Sequence, residues 1–242
     1  MNIKIMHLFP DLLNLYGDKG NIECMRKRLE WRGIDCEVQV YDAQSGELDV
    51  SDVDIIFLGG GSDREQKIVS TALFEHREKL KEFAKNDGSI VATCGGFEML
   101  GNYYMQKGEK IDGLSVLDIY TEEDEGRLVD NVIVETDFLP KPNNYVVGFE
   151  NHSGRTNINN YKPLGRVLRG NGNSDKSEWE GVVYKNVIGT HLHGPLFPKN
   201  PNLCDYVLTN ALKKKYSDFT ELPKLDDEME NTANEFIVKR FS

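Results

Sequence analysis

IVATCGGFEMLG (residues 90–101) decides the fold. Its first four residues, Ile90 to Thr93, form a strand too short and too apolar for the surface. The chain then turns through Cys94-Gly95-Gly96 into a segment, FEMLGNYY, of helical composition. Strand, tight turn and helix are the repeating unit of an α/β sheet. A side chain at such a turn is forced out at the carboxyl edge, where open sheets bind ligands. Ala92, Gly95 and Gly96 supply the small neighbours that a crowded turn requires. The unpaired N–H groups and positive dipole end of the following helix are expected to lower the Cys94 thiol from about 8.5 and favour thiolate.

The same alternation runs outward from this turn. Ile3 to Phe9 reads as a buried strand, residues 20–32 as a helix stopped by Gly33, and Cys36 to Val40 as a strand of period 2. Val53 to Leu58 is a third strand ending on Gly59-Gly60-Gly61, and Asp63 to Asn86 reads as one long charged helix. The spacing predicts a mostly parallel twisted sheet flanked by helices on both faces. The second half adds strands at 132–136, 145–150, 165–170 and 181–191, then helices at 201–216 and 226–240. With no repeat and no low-complexity linker, residues 1–242 are expected to form one domain.

Composition narrows the function. Of 242 residues, 29 are Lys or Arg and 40 are Asp or Glu, a net charge of −11 that disfavours nucleic acid or an anionic membrane as the main partner. A hydrophobic fraction of 39% rules out wholesale disorder. No apolar run reaches a membrane span, and MNIKIMHLFPDLLNLYGD (1–18) lacks the features of a secretory signal, so a cytoplasmic protein with free thiols is expected.

A cysteine nucleophile needs a base and an oxyanion hole. His76 lies among charges and is expected to be solvated, and His7 reads as a core histidine. His152, His191 and His193 all fall near predicted strand ends, and period 2 puts His191 and His193 on one face. Spacing leaves these three as equal contenders. The glycines at 59–61 let a substrate approach the main chain and offer N–H groups for an oxyanion. Arg127 follows the acidic run Glu122 to Glu125, which reads as a solvated loop and not a metal site, and can clamp a carboxylate. Neither a Walker-type phosphate loop nor a G-x-G-x-x-G fingerprint occurs.

Together, LNLYGDKGN (13–21), FLGGGSDREQ (57–66), ATCGGFEMLG (92–101), VGFENHSGRT (147–156) and GTHLHGPLFPKNP (189–201) resemble the class I glutamine amidotransferases. They look most like the cobyric-acid-synthase-like branch and its lipid II isoglutaminyl synthase glutaminase subunits. The resemblance implies a flavodoxin-like fold and hydrolysis of L-glutamine to glutamate and ammonia. It implies Cys94 as nucleophile, His193 as base, Gly60, Gly61 and Gly95 as the oxyanion hole, and Arg127 as a glutamine ligand. It also implies a MurT-like Mur-ligase partner that holds ATP and amidates the D-glutamate of lipid II. No metal or cofactor is expected in this chain.

Two departures stand out. Ala92 replaces the first glycine of the usual G-x-C-x-G elbow, and the usual H-x-E ending reads His193-Gly194-Pro195. The carboxylate that orients the imidazole is missing from its usual place; it is expected from the partner subunit, the alternative being a nearby carbonyl or water. Competing readings are a cobyrinate-type glutaminase, a stand-alone cysteine hydrolase of related fold, and a non-catalytic flavodoxin-like binding module.

Overall fold

Strands that are apolar on both faces belong inside a sheet covered on both sides. The computed structural model, which describes residues 1–241, places them there. In chain order the first half comprises β1 (Asn2–Leu8), α1 (Lys19–Glu30), β2 (Asp35–Tyr41), β3 (Ile55–Leu58), α2 (Asp63–Leu73), α3 (Arg77–Lys85), β4 (Ser89–Thr93) and α4 (Gly95–Met99). The second half comprises β5 (Tyr103–Gln106), β6 (Glu109–Asp112), β7 (Tyr120–Glu135), β8 (Tyr145–Asn157), β9 (Gly165–Arg169), β10 (Trp179–Glu180), β11 (Val182–Tyr184), β12 (Val187–Thr190), α5 (Leu196–Lys199), α6 (Pro201–Lys215) and α7 (Glu228–Phe241).

The first sheet has the order β11-β12-β4-β3-β1-β2, parallel throughout except for the edge strand β11. Alternate residues serve opposite faces, as a pleat demands. Met6, Leu8, Ile56, Leu58, Ile90 and Ala92 join one core. Ile5, Ile55, Phe57, Val91 and Ile188 join the other, with Ile22, Met25 and Leu29 of α1 and Leu203, Val207 and Leu208 of α6. Because the strands are parallel, their carboxyl ends share one edge. The loops after β1, β3, β4 and β12 therefore meet, although Leu8 and Thr190, the ends of the first and last of these strands, lie far apart in the chain.

The extra strands form a second sheet, order β10-β9-β7-β5-β6 with β8 also paired to β7. Its centre is the long antiparallel β7–β8 ladder, irregular between Glu123 and Leu128. The acidic run Glu122 to Glu125 thus lies on an exposed part of β7 and not in a loop. A bridge between Phe149 of β8 and His193 joins this ladder to the loop after β12.

Three local expectations change. The long helix over 63–86 is two helices joined by a 3-10 turn at Phe74–His76. That turn swings His76 inward, where it is buried and its Nε2 lies 2.8 Å from Tyr41 Oη, so it is not solvated. The helix after the cysteine turn is a single turn. A side chain at Gly101 would strike the Ile119 carbonyl oxygen at 2.7 Å, and this close crossing sends the chain into β5. No helix among the described residues is long and apolar enough to cross a membrane.

Candidate active site

Cys94 sits between β4 and α4 with φ 47° and ψ −113°, a conformation side chains rarely adopt. Its N–H donates to Thr190 O at 2.7 Å, which fixes the turn to the end of β12. Gly96 is obligatory there: a Cβ would lie 2.4 Å from Leu58 O and 2.8 Å from Gly59 O, both main chain. The thiol is almost fully buried. Burial pushes it above its ordinary value and the Glu98 carboxylate adds to this, against the opposing Gly95 N–H and Arg127. The expectation of a thiol lowered by the helix is therefore corrected. One helical turn of five residues cannot offset desolvation, and the thiol holds its proton at neutral pH.

A base must then lie within reach, and the three histidines separate. His193 follows β12 in a loop pinned by its N–H to Phe149 O (2.8 Å), with its ring against Tyr16 at a centroid distance of 4.6 Å. Gly60 lies between it and the thiol: a Cβ there would meet His193 Cε1 at 3.0 Å and Cys94 Cβ at 3.1 Å. His191 turns away because the strand ends at Thr190. It stacks on His152 at 3.8 Å, with Nε2 3.0 Å from Thr156 Oγ1. His152 Nδ1 is 2.8 Å from Gly154 O, and His7 packs edge-on against Phe57 in the core. The structure brings His193 alone among these to Gly60 and Cys94.

Burial lowers His193 to about 3, so its ring is neutral at neutral pH and able to accept a proton. Neither ring nitrogen has a hydrogen-bond partner among the described residues. The two buried carboxylates nearby are engaged elsewhere. Glu98 accepts from Gln66 Nε2 at 2.7 Å, and Asp18 accepts from Gly60 N–H at 3.0 Å and Thr93 Oγ1 at 3.1 Å. Among the described residues no orienting carboxylate touches His193.

This arrangement also corrects the expected oxyanion hole. The Gly60 N–H is committed to Asp18, which leaves Gly61 and Gly95 as the candidate donors; the Gly95 N–H is directed at the sulfur. Arg127 lies exposed on β7. Its Nε and Nη2 donate to Oδ1 and O of Asn151, both at 2.8 Å, and Asn151 Nδ2 donates to Tyr16 Oη at 2.6 Å. Its positive charge acts on both Cys94 and His193. Asp18, Tyr16, Asn151 and Glu98 were not singled out from sequence. An aspartate just before a helix reads as an N-cap, and an asparagine within a strand carries no local signal. A buried thiol, a neutral imidazole and main-chain donors at one sheet edge suit acyl transfer. No group of three or more metal-ligating side chains occurs among the described residues.

The comparisons with known proteins agree. The CobB/CobQ-like glutamine amidotransferase domain model matches residues 4–201. The chain is 38% identical over 239 residues to the lipid II isoglutaminyl synthase (glutamine-hydrolyzing) subunit GatD of Staphylococcus aureus (strain N315), covering 98% of this chain and 96% of the relative. It is 39% identical over 228 residues to the same-named subunit of Streptococcus pneumoniae (strain ATCC BAA-255 / R6), covering 93% and 86%. A glutamine amidotransferase structure from Thermotoga maritima has the same fold, with a TM-score of 0.56 at 16% identity, over 98% of this chain and 92% of that one. The chain belongs to the CobB/CobQ-like glutamine amidotransferase family, in the branch of the GatD subunits.

Proposed function

We propose that the chain is the glutaminase subunit of a lipid II isoglutaminyl synthase. The observation that carries this reading is the convergence of the Cys94 thiol and the His193 imidazole on either side of Gly60. In the reaction, His193 takes the thiol proton as Sγ bonds to the glutamine side-chain carbonyl carbon. The tetrahedral oxyanion is held by the N–H groups of Gly61 and Gly95. Collapse breaks the C–N bond, and the imidazolium returns its proton to the leaving nitrogen, which departs as ammonia. The glutamyl thioester remains on Cys94. Water, deprotonated by the same imidazole, then releases glutamate and the free thiol. Arg127 binds the glutamine α-carboxylate from the rim. Ammonia passes to a MurT-like Mur-ligase subunit, which uses ATP to activate the D-glutamate carboxyl of lipid II. The chain works in the cytoplasm as one amidotransferase domain and carries no cofactor of its own.

A base with no orienting partner samples unproductive tautomers. The two unpartnered ring nitrogens of His193 support the reading that an Asp or Glu arrives with the synthetase subunit. The test is labelling with an electrophilic glutamine analogue. Modification is expected at Cys94 before Cys24, Cys36 or Cys204, and Cys94→Ala is expected to abolish ammonia release while remaining folded. Labelling of another cysteine, with Cys94→Ala fully active, refutes the assignment.

A further inference from the structure

Asp18 directly precedes α1 yet does not cap it; its side chain makes no cap bond to the helix. Fully buried, it points instead at the sheet edge. There Oδ2 accepts the Gly60 N–H, and Oδ1 accepts Thr93 Oγ1 at 3.1 Å and Asn21 Nδ2 at 3.4 Å. One carboxylate thus joins three segments: the start of α1, the glycine loop after β3, and the residue before Cys94. A second bond comes from the same stretch, Leu15 N–H to Gly60 O at 3.1 Å. Both peptides flanking Gly60 are therefore held by residues 15–18. In a trans peptide the C=O and N–H point in opposite directions. With Gly60 O drawn to Leu15, the Gly61 N–H is directed away from that loop.

We propose that Asp18 is a positioning residue for the glutaminase reaction, fixing the glycine loop against the cysteine turn so that the Gly60–Gly61 peptide meets the thiol in one orientation. This rests on the glutaminase reading above. Both carboxylate oxygens accept, whereas an asparagine supplies one acceptor and turns an N–H2 toward one of these donors, so the tie as built calls for a carboxylate despite the cost of burying it. Burial raises Asp18 to about 6, while the Gly60 and Thr93 donors oppose that rise. Protonation places a hydrogen on an oxygen that must accept, so the tie is full well above pH 6 and is lost as pH falls through about 6. The groups acting on Asp18 are the Gly60 N–H, the Thr93 hydroxyl and the neutral Asn21 amide, and its charge in turn raises Cys94. Lys19, next in the chain, is exposed and paired with Asp11.

The test uses the chain together with its synthetase subunit and measures ammonia release from glutamine against pH. Asp18→Ala is expected to lower kcat by about 10- to 100-fold with KM changed less than about threefold, since geometry and not glutamine affinity is lost. Asp18→Asn, which keeps one acceptor and cannot titrate, is expected to lower kcat less than Asp18→Ala at neutral pH and to abolish the wild-type fall in kcat below pH 6. Asp18→Ala within twofold of wild-type kcat, or Asp18→Asn with an unchanged acidic fall, overturns the proposal. If Asp18→Ala does not fold, the Asp18→Asn pH profile decides. A wild-type complex that releases no ammonia overturns the glutaminase reading instead.

Discussion

Gly60→Ala isolates the geometry between thiol and imidazole. The new methyl would lie 3.0 Å from His193 Cε1 and 3.1 Å from Cys94 Cβ, inside ordinary van der Waals contact. Both neighbours are side-chain atoms and the Gly60 φ is not in the left-handed region, so the fold accommodates the change. Overpacking of this kind costs about 1–3 kcal/mol. The two reacting groups must each yield by a few tenths of an ångström, and a misplacement near 1 Å costs about 10² in rate. A loss of about 10- to 100-fold in kcat follows, or about 1.4–2.7 kcal/mol of barrier. Gly96→Ala is the contrast. Its methyl would strike the Leu58 and Gly59 carbonyl oxygens at 2.4 and 2.8 Å, which are main-chain atoms that cannot swing aside. Ammonia release by the complex and a thermal melt, run on both variants, separate the cases. Gly60→Ala should be folded and slow, Gly96→Ala unstable. A Gly60→Ala complex with wild-type kcat would refute the convergence of Cys94 and His193 on that glycine as a catalytic arrangement.

Other expectations follow from the same contacts. His193→Ala should lose kcat by about 10²-fold or more while the chain remains folded, as for a lost general base. His191→Ala should keep most of kcat while losing about 2–4 kcal/mol of stability, because its buried ring is engaged by His152 and Thr156 and not by Gly60. Adding the synthetase subunit should raise kcat and not merely lower KM; equal kcat for free and complexed chain would place the orienter of His193 within this chain. Arg28 is buried and bonded to both Asp205 and Asp227, so Arg28→Ala should cost about 3 kcal/mol in a denaturant titration by leaving Asp227 unpaired and Asp205 with Arg32 alone. Burial also raises Glu180 to about 7 from an ordinary 4.5. The folded state thus binds the extra proton between those values, so the Glu180 contribution to stability is full below about pH 4.5 and is lost as pH rises through 7. Glu180→Gln should flatten that part of a Tm–pH curve, and an unchanged curve would reject the assignment.

What the sequence determined by itself is local: strand, turn and helix around Cys94, the glycine run after Leu58, and the period that sends alternate residues to opposite faces. These are legible because small residues and apolar periodicity act within a few positions of one another. The family was legible too, because the glycine run, the cysteine turn and the late histidine segment stand in its order along the chain. Tertiary structure decided the rest. Period 2 put His191 and His193 on one face, but the strand stops at Thr190, and the Phe149 bridge carries His193 alone to the thiol. Thiol acidity reversed because burial, a property of the assembled sheet edge, outweighs one short helical turn. Asp18 shows the limit most clearly. Its bonds to Gly60 and Thr93 span 42 and 75 residues, and only parallel strands with a shared carboxyl edge bring those positions together.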